Sequence, residues 1–136
     1  MSTLGSPKIV VLGGAVMDLY FRVPELPSWN QAVQATRYTA WPGGKGLNQA
    51  IAASRLGART SLISAVGNDE FGARAIEALE LNNVSHELVA KVEGTKTDVA
   101  AVFVQSRSGE SAFVGWKSVL LTEVNRHLVR RAEELI

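Results

Sequence analysis

The sequence predicts an α/β fold, a mainly parallel sheet flanked by helices with a small second β-sheet. Three observations carry that reading. A short β-branched run, KIVVL, ends on Gly13-Gly14, as a strand buried on both faces of a helix-covered sheet does. From Lys45 the apolar spacing changes to a helical period. Strand then alternates with helix along the next forty or so residues, the α/β rhythm.

Taken in order, residues 1–7 (MSTLGSP) lack an apolar core with a basic flank and read as a short loose leader, not a secretory signal. Residues 8–12 form the first core strand. Residues 19–23 and 33–40 (VQATRYTA) alternate more, with Pro24, Pro27, Ser28 and Asn30 in the loop between them. They read as two strands of a separate sheet with at least one wet face. Leu47, Ala50, Ile51 and Ser54 fall at i, i+3, i+4 and i+7 ahead of Gly57, giving a helix of about three turns with a C-terminal glycine. Residues 60–66 (TSLISAV) are a second core strand. Residues 69–81 are a second helix, buried through Phe71, Ala75, Ala78 and Leu79, with Asp69 and Glu70 at its positive end. Residues 98–105 and 111–115 pair as a hairpin around Ser106-Arg107-Ser108-Gly109-Glu110. A last helix is capped by Thr122 and carries Val124, Leu128, Ala132 and Leu135 on one face. Glu133 and Glu134 sit at its negative end with no stop residue before Ile136, so the chain reads as cut from a longer one.

Composition excludes several classes. With 136 residues, 46% hydrophobic and 20% charged, the chain is one ordinary globular unit, neither disordered nor coiled coil. Fourteen basic and thirteen acidic residues leave no broad positive field for nucleic acid or anionic membranes. The apolar runs fall far short of the roughly 18 residues a membrane span requires. Absence of cysteine removes disulfides and thiolate metal sites and fits a reducing, cytoplasmic location. His86 and His127 stand alone without ligand spacing, so no metal site is assigned. No nucleophile–base set assembles either.

The sharpest local pattern is Pro42-Gly43-Gly44-Lys45-Gly46-Leu47-Asn48, a glycine pair running straight into a helix. Such a pair lets main chain approach a ligand, and the helix start presents free N–H groups. Lys45 donates and Asn48 both donates and accepts, a combination suited to a polyol. A plain tight turn with a solvated lysine explains the spacing equally well. The P-loop pattern fails, because Thr39 stands five before Gly44 and Gly46 follows Lys45. Gly13-Gly14-Ala15-Val16-Met17-Asp18 lacks the dinucleotide fingerprint. Asp18 follows the first strand, where open parallel sheets bind ligands, and its carboxylate can accept two hydroxyl hydrogen bonds. An Asx-turn satisfying its own backbone is the competing role. Asp69 reads as a helix-start residue and Asp98 as a strand-edge residue.

Together, PGGKGLNQAIAASRLGA, ISAVGNDEFG and TDVAAVFVQSRSGE resemble the N-terminal part of the ribokinase-like carbohydrate kinases of the PfkB family. The resemblance runs almost end to end, and residues 43–58 are its most specific part, being similar to the family's first signature. It implies an α/β core (residues 8–18, 42–97 and 116–136 of a single truncated unit, 1–136) and a β-sheet lid with strands within 19–41 and 98–115. It implies that Asp18, Gly43, Gly44, Lys45 and Asn48 hold the hydroxyls of a sugar or nucleoside, and that ATP, with Mg2+, donates its γ-phosphate to a hydroxymethyl group. The lid strands would double as a homodimer surface. The family's second signature, a Gly-Ala-Gly-Asp segment bearing the catalytic Asp and the anion hole, does not occur, so no catalytic residue is assigned. Most of the nucleotide site is missing with it. At roughly a hundredfold per lost element, the chain alone is expected to be inactive. Val16 stands where several ribose-binding relatives carry Asn, and Gly115-Trp116-Lys117-Ser118 replaces a Gly-Ala-Asn type run. Trp116 either stacks on a substrate face or packs within the lid. The competing expectation is a stand-alone carbohydrate-binding or dimerisation module without catalysis.

Overall fold

The computed structural model describes residues 5–118 and 128–133. Among the described residues up to 118 the elements follow in chain order: β1 (Lys8–Leu12), β2 (Val16–Val23), β3 (Arg37–Gly43), α1 (Lys45–Arg55), β4 (Arg59–Gly67), α2 (Glu70–Leu81), β5 (Val84–Ser85), β6 (Val89–Val92), β7 (Val99–Gln105) and β8 (Ser111–Trp116). They form two sheets. In the first, β4 pairs in parallel with β1 on one side and with β5 and then β6 on the other. In the second, the order is β3-β2-β7-β8, with β2 and β7 parallel and both outer pairs antiparallel.

The first sheet is packed on both faces. Leu62, Val66 and Val84 meet Leu47 and Ala50 of α1 and Ala75, Ile76 and Leu79 of α2. Leu47, Leu62, Val66 and Leu79 are essentially inaccessible, each contributing about 1.5–3 kcal/mol of burial. The other face joins Ile63 and Leu88 to Leu128 and Ala132, which lie in the helical residues 128–133. The expected last helix is described only there; Thr122, Val124, His127 and Leu135 lie outside the described residues. No helix among the described residues is long and apolar enough to cross a membrane.

Local chemistry explains the elements. Asp69 caps α2, its carboxylate accepting from the Gly72 N–H at 2.8 Å, an interaction of about 0.5–2 kcal/mol. The Thr97 hydroxyl donates to Asp69 Oδ1 at 2.6 Å and its N–H to Oδ2 at 3.0 Å. Burial pushes the Asp69 carboxyl up, but the bonds from Thr97 and Gly72, with the Lys96 charge, outweigh it and hold the group below its ordinary value. The stabilisation is therefore complete above the ordinary carboxylate range and is lost as pH falls through the lowered value. The β7–β8 turn closes with Gly109 N–H donating to the Gln105 carbonyl at 3.0 Å.

Several boundaries differ from those the sequence predicts. Strand β2 begins at Val16, three residues before the expected start at Leu19, so Asp18 lies within the second sheet. Strand β3 starts at Arg37, not 33, and continues through Pro42 and Gly43. Proline is tolerated because β3 is an edge strand and needs no outward ladder donor. In α2, Ile76 is buried with Ala75 and Leu79, whereas Phe71 and Ala78 are only half-buried. Strands β5 and β6 had no sequence counterpart.

Candidate functional site

The site forms where the end of β1, the start of α1 and the second sheet converge. Gly13 and Gly46 are in backbone contact: a Cβ on Gly46 would lie 2.6 Å from the Gly13 Cα. That approach brings the first turn of α1 against the β1 exit, with Leu47 N–H donating to the Gly14 carbonyl at 3.3 Å. Gly44 holds φ +91° as the residue preceding α1, a conformation that strains any residue with a Cβ. No side chain caps α1 and its first turn carries no acid. Its positive end is thus turned to the cavity without an internal counter-charge.

A cavity of about 440 Å3 opens there, lined by Gly14, Val16, Asp18, Gly44, Lys45, Asn48, Asp98, Val99, Ala100, Gly115, Trp116 and Lys117. The structure therefore brings Asp18, Gly44, Lys45, Asn48 and Trp116 to one place. Gly43 lies behind Asp18: a Cβ at position 43 would press on the carboxylate, 2.9 Å from its Cγ. Lys45 and Asn48 project from an exposed stretch of α1. Trp116 is half-exposed at the end of β8.

The second sheet sets the opposite wall. Asp18 is in register with Trp41, Ala100 and Gly115 across all four strands, and paired residues share a face. The small side chains at positions 100 and 115 leave room in front of the carboxylate. Asp98, expected only as a strand-edge residue, also lines the cavity and is 8% exposed. An acid directly before an apolar strand was the one signal that pointed to it. Among the described residues no group of three His, Asp or Glu is placed to hold a metal.

Burial raises the Asp18 carboxyl above its ordinary value. Tyr20, on the same face, is raised as well, by burial and then by the charge of Asp18. A raised carboxyl binds protons more tightly folded than unfolded, so folding loses stability as pH rises through that window. Asp18→Asn is accordingly expected to be more stable than the unaltered chain at pH 7, with the gain fading as pH falls below the ordinary carboxylate range. Urea midpoints of both chains at two pH values check this, and an Asn variant less stable at pH 7 contradicts it.

The fold is an α/β unit with a second, mixed sheet over one cavity, and comparison with known proteins gives its family. The sequence profile of the pfkB family carbohydrate kinases matches residues 6–135. The chain belongs to that family. It is 34% identical over 98 residues to the ribokinase of Mus musculus, covering 72% of this chain and 30% of the relative. It is 32% identical over 106 residues to the deoxyribokinase of Salmonella typhi, covering 78% and 35%. The structure of Arabidopsis thaliana ribokinase complexed with ribose and ATP superimposes with a TM-score of 0.73 at 30% identity, over 82% of this chain and 36% of that one. The chain spans about a third of the length of the curated relatives it matches.

Proposed function

We propose that this chain is the substrate-binding and lid part of an ATP-dependent sugar or nucleoside kinase that phosphorylates a hydroxymethyl group. The observation that carries the reading is the convergence of Asp18, Gly44, Lys45 and Asn48 on one cavity in a member of this family. Asp18 accepts from two substrate hydroxyls, Lys45 donates, and Asn48 does both. Gly43 keeps the Asp18 carboxylate in place. Trp116 lies against a face of the substrate, and the second sheet acts as the lid. Its exposed Trp41 and Phe113 share a face and need cover, which a homodimer through the lid strands supplies. A cytoplasmic location accords with the absence of cysteine.

The nucleotide is a separate matter. ATP and Mg2+ are the family's phosphoryl donor system, but the cavity's charged side chains are Asp18 and Asp98 against Lys45 and Lys117, which do not fit a triphosphate, and no acidic cluster for Mg2+ is found among the described residues. No residue is assigned to either, and the chain's part is to bind and orient the acceptor alcohol. Phosphoryl transfer depends chiefly on positioning and charge neutralisation at the phosphates, so the isolated chain is expected to bind but not to phosphorylate.

Calorimetric titration with D-ribose, D-fructose and adenosine tests this. One of them should give saturable heat, weakened about tenfold or more by Asp18→Ala, as loss of hydrogen bonds to a charged group implies. Heat with none of them contradicts the reading. Sugar phosphate formed by the isolated chain with ATP and Mg2+ contradicts the expected inactivity.

A further inference from the structure

Asp98 is held from one side only. Its backbone carbonyl accepts from the Met17 N–H at 2.8 Å, which fixes the start of β7 beside the residue preceding Asp18. Its Oδ1 accepts twice from Ser118, from the N–H at 2.7 Å and from the hydroxyl at 2.8 Å. Among the described residues Oδ2 accepts no hydrogen bond. Positions 98 and 100 share a face of an extended chain, and Ala100 is in register with Asp18. The two carboxylates therefore face the same side and line the same cavity. Asp98 is 92% withdrawn from solvent by its 8% exposure. No side-chain oxygen among the described residues is both sealed from solvent and unpartnered, so Oδ2 of this largely buried residue is reached from the cavity that Asp98 lines and is free to accept a ligand's hydroxyl.

We propose that Asp98 is a second substrate-reading carboxylate, clamped by Ser118 so that Oδ2 accepts a hydroxyl of the polyhydroxylated substrate at a position distinct from the hydroxyls taken by Asp18. The inference rests on the proposed sugar-binding reading. It makes the site selective for an alcohol with donors on two sides. A substrate lacking the hydroxyl opposite Asp98 displaces solvent from that oxygen without pairing it and is rejected, because a polar group buried unsatisfied by the ligand costs more than a lost contact.

The test is a deoxy-sugar cycle on the 136-residue chain, using D-ribose, D-fructose and adenosine with their monodeoxy analogues. Asp98→Asn keeps an oxygen for Ser118 but turns the cavity-facing acceptor into a donor. Its affinity for the tightest-binding parent compound should fall about tenfold or more, while its affinity for one particular deoxy analogue stays unchanged. Ser118→Ala loosens the clamp and should weaken binding of the parent and of every analogue except that one. In the unaltered chain, the carboxyl 13C resonance of Asp98 should shift at saturation, a readout that does not depend on any variant folding. Equal loss across all analogues in Asp98→Asn, or an unmoved Asp98 resonance, overturns the inference while leaving the Asp18 site standing. Failure of the unaltered chain to bind any of the three parents overturns the sugar-binding reading and this inference with it.

Discussion

Gly46→Ala is expected to destabilise the fold by about 2 kcal/mol or more, although alanine is the better helix former by roughly 1 kcal/mol. Gly46 is buried in the first turn of α1. Its added Cβ would sit 2.6 Å from the Gly13 Cα and 2.8 Å from the Gly13 carbonyl oxygen. Both are main-chain atoms of the β1 exit, which cannot swing aside as a side-chain end can. Relief requires α1 to lift from β1, opening the contact that packs Leu47 and Ala50 against the first sheet. Overpacking of this kind costs about 1–3 kcal/mol and occasionally more; here the obstructing atoms place it at the high end. A drop of about 1 M in the urea midpoint follows from ordinary denaturant slopes. An unchanged or raised midpoint would show that the glycine contact is not what sets the helix against the strand.

Gly43→Ala should behave oppositely, sparing the fold and removing the site. The atoms its Cβ would meet belong to the Asp18 carboxylate, the end of a side chain with two free torsions. The cheap response is for Asp18 to turn away, leaving the β2–β3 register of Val16 with Gly43 intact. If that carboxylate holds two substrate hydroxyls, each charge-assisted hydrogen bond is worth about 1.5–3 kcal/mol. Binding of the sugar should then weaken about a hundredfold with little change in the urea midpoint. A variant that binds as tightly as the unaltered chain would remove Asp18 from the substrate site. The pair thus separates two roles for glycines three residues apart.

What the sequence disclosed follows the strength of its periodic signals. α1, β4 and α2 are strongly patterned, and the β7–β8 hairpin is marked by Gly109 and a polar turn; each was readable because packing and local preference agree. β1 was readable from its β-branched run alone, for it lies at the edge of the first sheet with none of its residues fully buried, not covered on both faces as that run suggests. β5, two residues long, and β6, with Lys91 exposed amid half-buried neighbours, carry no pattern longer than a turn. Their strand character comes from β4, which offers them its ladder. The extension of β3 was hidden because Pro42-Gly43 reads as a break, and only its place at a sheet edge makes proline acceptable there. The glycine pair, Lys45, Asn48 and Asp18 were visible because their chemistry is unusual at a helix start and a strand exit. Asp98 was not, since its role arises from β2 and β7 lying side by side, a pairing between residues about eighty apart in sequence that no local spacing announces.

In the proposed function a polyhydroxylated substrate sits at the α1 start, between that helix and the second sheet. Amide resonances of the 15N-labelled chain, followed while D-ribose, D-fructose or adenosine is added, test it most directly. Saturable shifts are expected at Asp18, Gly43, Gly44, Lys45 and Asn48, with Lys8 and Arg59 at the far end of the first sheet unmoved. Shifts centred on Lys8 and Arg59, or none at saturating ligand, would contradict it.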